Sequence, residues 1–100
     1  MDGSSLLTLI APAGLEEPLV DWLLERAPDR GFCSGPINGH SASHEVLTVS
    51  EQVAGRQRQV RFELHAPEDE LELILERLHA DFAGASIHYW VIPLRKSGKV

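Results

Sequence analysis

Residues 59–94 read QVRFELHAPEDELELILERLHADFAGASIHYWVIPL, and a change of period inside them decides the fold. Val60, Phe62 and Leu64 alternate with Gln59, Arg61, Glu63 and His65, the pattern of a strand with one buried face. After Pro67, placed as the first helical residue, the period lengthens. Leu71, Ile74, Leu75, Leu78 and Phe82 recur at helical spacing behind Glu68, Asp69 and Glu70, acidic residues that a helix N-terminus favours. Gly84 marks the end of this helix, and Ile87 to Leu94 is a closing strand.

Working outward, the first third of the chain repeats the scheme. Leu6 to Ala11 is a short apolar run stopped by Pro12 and Gly14, which favours a strand. From Leu15 to Arg26 the apolar positions Leu15, Leu19, Trp22 and Leu23 follow a helical period, with Pro18 tolerated in the first turn. Phe32 to Ile37 is a second strand, and its Pro36 suits a sheet edge. The order strand, helix, strand, strand, helix, strand predicts an α+β, ferredoxin-like βαββαβ domain, with two helices on one face of a four-stranded antiparallel sheet. Neither terminal strand has a fully polar face: Leu6, Thr8 and Ile10 oppose Leu7, Leu9 and Ala11, and Trp90 and Ile92 oppose Tyr89 and Val91. Two helices cover one side only, so the apolar remainder predicts a homo-oligomer.

One hundred residues make a single domain, 1–100, with a basic tail from Arg95 to Val100 expected to be mobile. The net charge of −6 argues against a nucleic-acid partner. No apolar run approaches the roughly 20 residues that span a bilayer, so direct membrane insertion is not expected. The single cysteine, Cys33, cannot close an internal disulfide, and the N-terminal stretch lacks the basic start of a secretory signal, so a cytoplasmic location is expected.

Residues 34–62, which include the link between the second and third strands, carry most of the unusual side chains. His40 and His44, with Glu45 beside them, are candidate ligands for a divalent metal, although with no third ligand nearby they also read as ordinary loop residues. Gly55, Arg56 and Arg58 form the second candidate group: a glycine freeing the backbone, then guanidinium groups able to grip phosphate or carboxylate. Arg56 and Arg58, with Arg61, would equally serve as a solvated face paired with Glu51, Glu63 or another acidic neighbour. Several chemistries known on this element order find no counterpart. The first loop, Ala11-Pro12-Ala13-Gly14, has no Cys-x-x-Cys pair and no phosphate-cradling arginine, and Gln57 and Gln59 stand where an RNA-recognition domain places stacking rings. No nucleophile, base and orienting group occur together, so a non-enzymatic role is expected.

The combination ASHEVLTVSEQVAGRQRQVRFEL, the Pro-started acidic helix and the ending IHYWVIPL resembles a family of small bacterial proteins related to the nitrogen-regulatory PII proteins, often encoded near heavy-metal efflux systems. The resemblance runs from Leu6 to about Leu94. It implies a trimer of ferredoxin-like subunits acting as a regulator or sensor, with a small effector such as an adenine nucleotide in the clefts between subunits. A metal-efflux transporter is the implied target. The metal-tolerance protein CutA is similar in shape and keeps open the alternative of a direct divalent-metal binder.

Overall fold

The computed structural model describes residues 3–26, 31–40 and 57–100. Strand β1 spans Ser4–Pro12 and passes through a 3-10 turn, Ala13–Leu15, into helix α1, Glu16–Arg26. Strands β2, Cys33–Gly39, and β3, Gln57–Pro67, follow, then helix α2, Glu68–Asp81, and strand β4, His88–Pro93. The strands form one antiparallel sheet in the order β2-β3-β1-β4, as the ferredoxin-like arrangement requires.

Register sorts the side chains between the two faces. Leu7, Leu9 and Ala11 of β1 pair with Leu64, Phe62 and Val60 of β3, and all six are buried. Leu19, Trp22 and Leu23 of α1, with Leu71, Ile74, Leu75 and Leu78 of α2, complete this core. Among the described residues the opposite face carries no helix. Its rows follow from pairing: Leu6 beside Ile92 and His65, Thr8 beside Trp90 and Glu63, Ile10 beside His88 and Arg61. The face is apolar along β1 and β4 and polar along β3. Thr8 and Ile10 are only 2% and 8% exposed because longer side chains stand on either side of them, whereas Trp90 and Ile92 remain 47% and 48% exposed.

The element boundaries depart from the sequence reading in instructive ways. β1 and β3 run beyond their apolar stretches, to Ser4–Pro12 and Gln57–Pro67, because their mutual pairing continues through polar residues. β2 is displaced to Cys33–Gly39, with Phe32 just outside it. Pro67 is not the first helical residue but the cap before it, with φ −54° and ψ 147°, so one residue ends β3 and opens α2. Phe82, expected at the end of the helical stripe, lies just past the helix, although its N–H still donates to the Leu78 carbonyl at 2.9 Å. The strand expected over Ile87 to Leu94 is β4, one residue shorter at each end.

Candidate functional site

Three connections meet the same end of the sheet. β1 ends there at Pro12, paired with Gln59; β4 begins there at His88, paired with Ile10; and the β2–β3 ladder runs past both, to Gly39 paired with Gln57. The turn after β1, the α2–β4 connection and the far end of the β2–β3 ladder are therefore neighbours at one pole, fixed by hydrogen-bonded register.

Of the five residues singled out in the sequence, the structure places two here. Arg58 pairs with Asn38 in the ladder, exposed and on the side of the sheet occupied by Val60 and Phe62, and it makes an interaction of its own. His40 follows Gly39, also exposed, one step beyond the last described rung. His44, Gly55 and Arg56 lie outside the described residues. The ladder closes tightly here, because a side chain at Gly39 would run into the amide end of Gln59. Among the described residues no group of three or more His, Cys, Asp or Glu is placed to hold a metal ion.

A second feature of this pole was not singled out from the sequence. Between the end of α2 and the start of β4 lies a cavity of about 130 Å³, floored by Leu78, Phe82 and Ile87 and rimmed by His79, Ser86 and Tyr89. His79 and Tyr89 meet edge to face with ring centroids 5.6 Å apart. The connecting loop turns through two left-handed residues, Gly84 at φ 79° and Ser86 at φ 60°. A serine there is uncommon, since the Cβ crowds the following carbonyl. Gly84 was a visible turn signal; nothing in the residue type of Ser86 marks its conformation.

Behind this loop, α1 and α2 are tied together. Asp81, the last residue of α2, accepts a hydrogen bond from Trp22 Nε1 at 2.7 Å and one from Arg26 Nη2 at 3.3 Å. The Arg26 guanidinium lies 4.9 Å from the Trp22 ring centroid, and Phe82 meets that ring edge-on at 5.8 Å. The cavity wall therefore rests on a cross-helix brace. On the outer side of α1, Glu16, Glu17 and Asp21 line an open groove with Val20, an acidic surface that repels anions.

A family model described as a protein of unknown function, DUF3240, matches residues 1–100. The chain belongs to the DUF3240 family. Its fold is also that of a solved DUF3240 protein from Shewanella baltica, 26% identical, with a TM-score of 0.77 over 100% of this chain and 99% of the other. Beyond the family, the chain is similar to CPII, a nitrogen-regulatory PII-like protein from Thiomonas intermedia solved with ADP, AMP and bicarbonate. That match is 17% identical, with a TM-score of 0.71, covering 98% of this chain and 97% of CPII. It is similar, too, to the periplasmic divalent cation tolerance protein CutA from Archaeoglobus fulgidus: 12% identity, TM-score 0.69, 96% of this chain and 88% of the other. The DUF3240 fold is thus the PII-like and CutA-like one. No curated protein matches the sequence. Among the described residues no helix is long and apolar enough to cross a membrane.

Proposed function

We propose that this DUF3240 protein is a PII-like regulator: a non-enzymatic, cytoplasmic homotrimer that binds a small anionic effector in its inter-subunit clefts and acts on a partner, a metal-efflux transporter. The observation that carries this reading is the likeness, along nearly the whole chain, to a PII-like protein solved with ADP, AMP and bicarbonate. Adenine nucleotide is the effector class it favours. Arg58, at the pole where the sheet's connections meet, supplies a guanidinium for the effector's charged groups, with Gly55 and Arg56 as its neighbours in sequence. The half-apolar open face supports an oligomer. Calorimetric titration with ATP, ADP and AMP tests the reading: micromolar heats that fall away in Arg58→Ala support it, and no heat with any of the three removes the nucleotide.

The likeness to CutA, a divalent cation tolerance protein by name, favours a second reading in which His40 and His44 bind a divalent metal directly. Titration with zinc and copper(II) separates the two. Metal affinity that survives His40→Ala with His44→Ala sinks the histidine site.

A further inference from the structure

The cavity between the end of α2 and the start of β4 takes no part in the effector or metal readings. Its volume, about 130 Å³, sets the size of what it can hold. A cavity of about 150 Å³ lined by Leu, Ile and Phe holds one benzene molecule, so the floor of Leu78, Phe82 and Ile87 suits a single six-membered ring. The space is formed in advance. Asp81, bonded to Trp22 and Arg26, fixes the end of α2 behind it, and His79 holds the Tyr89 ring edge to face on the rim.

The wall selects the charge of the occupant. Residues 78–90, LHADFAGASIHYW, contain Asp81 and no Lys or Arg, so an anion entering here would lose its water and meet no fixed countercharge. Acceptors, by contrast, are at hand. His79, Ala80 and Asp81 close α2, and among the described residues their carbonyls accept no main-chain hydrogen bond: the Phe82 N–H returns to Leu78 and the Ala85 N–H to Phe82. These carbonyls are the negative end of the helix dipole and face the loop that makes the cavity. Tyr89, 42% exposed, offers a ring face to a cation.

Ser86 completes the rim with a hydroxyl, in a left-handed conformation at φ 60° that glycine would adopt without strain. Backbone strain of this kind gathers at ligand clamps. We propose that the cavity binds a small organic cation, one ring-sized apolar body bearing a protonated amino group. The body rests on Leu78, Phe82 and Ile87. The ammonium lies among the Ser86 hydroxyl, the Tyr89 ring and the last carbonyls of α2. This site differs in charge from the anion group proposed around Arg58, which stands on β3 with β1 between it and β4, and it does not depend on that reading.

Benzylammonium is the probe, with benzyl alcohol and benzoate as controls of similar size, each titrated into the ¹⁵N-labelled native protein and followed by amide NMR shifts. Benzylammonium should move the amides of residues 82–89 saturably and bind about 5- to 10-fold tighter than benzyl alcohol, the equivalent of one cation–π contact and one charge-assisted hydrogen bond. Benzoate should give no saturable shift there. Ser86→Gly should weaken benzylammonium by about 3- to 10-fold while melting at the parent's temperature or above it. Tyr89→Leu, at an exposed position, should bring benzylammonium down to the affinity of benzyl alcohol. Benzoate binding as tightly as benzylammonium overturns the charge selection. Shifts unchanged in both variants, or no saturable shift with any probe, overturn the site. Arg58→Ala should leave benzylammonium binding as it is, and none of these outcomes decides the nucleotide reading.

Discussion

Trp22 and Asp81 stand 59 residues apart in the chain and are joined by a 2.7 Å hydrogen bond between the indole N–H and the carboxylate. Trp22 is buried, with 7% of its surface exposed, so its N–H depends on this partner, whereas the Asp81 side chain is 43% exposed and remains within reach of water. Removing the acceptor in Asp81→Ala should cost about 1–2 kcal/mol in urea denaturation, and Asp81→Asn, which keeps an acceptor, should cost less. Arg26→Ala should cost under about 1 kcal/mol, because a partly exposed ion pair contributes little.

The loop that lines the cavity holds two left-handed residues of different kinds. Gly84→Ala should destabilise the fold by roughly 1–2 kcal/mol, since alanine at φ 79° crowds its own carbonyl. Ser86→Gly should have the opposite sign, or no effect, because it relieves the same crowding at φ 60°. Thermal melts of the two variants against the parent check the contrast.

Phe62 is fully buried where β3 passes beneath the helices, its ring tilted against that of Phe32 with centroids 6.2 Å apart. Phe62→Ala should cost about 3–5 kcal/mol and Leu9→Ala, its partner across the ladder, about 2–5 kcal/mol. Denaturant midpoints measure both. The two losses should not add, because the residues share one contact.

Arg58 and His40 lie at the same pole but carry different chemistry. Arg58→Ala should weaken adenine-nucleotide binding by about 10- to 100-fold, the equivalent of one or two charge-assisted hydrogen bonds, and leave zinc binding unchanged. Parallel titrations with ADP and zinc check this. Arg58→Lys, which keeps the charge and loses the fork, should recover only part of the affinity.

The element order was legible because each element writes its own period: Val60, Phe62 and Leu64 at every second residue, Leu71, Ile74, Leu75 and Leu78 at helical spacing. Pro36 correctly marked an edge strand. The half-apolar second face was also readable, since Leu6, Thr8 and Ile10 oppose core residues one step away. What could not be read was whatever depends on distant partners. Asp81 looks like a solvated helix residue until the fold brings Trp22 to it. His79, Ser86 and Tyr89 line a cavity only because of a backbone turn that a serine does not announce. Boundaries slipped for a related reason: strands end where their pairing partners end, and those partners belong to other parts of the chain.

β1 lies inside the sheet, and on one flank its partner is β4, with Ser5 opposite Pro93. During synthesis the chain can therefore assemble β1, β2, β3 and both helices while one side of β1 still waits. Until His88–Pro93 emerges, Leu6, Thr8 and Ile10 have main-chain groups with no strand to receive them. Because both ladders of β1 join segments far apart in the chain, the sheet is completed late. A product released before His88 would expose a long apolar strand edge, an attractive substrate for chaperones and proteases.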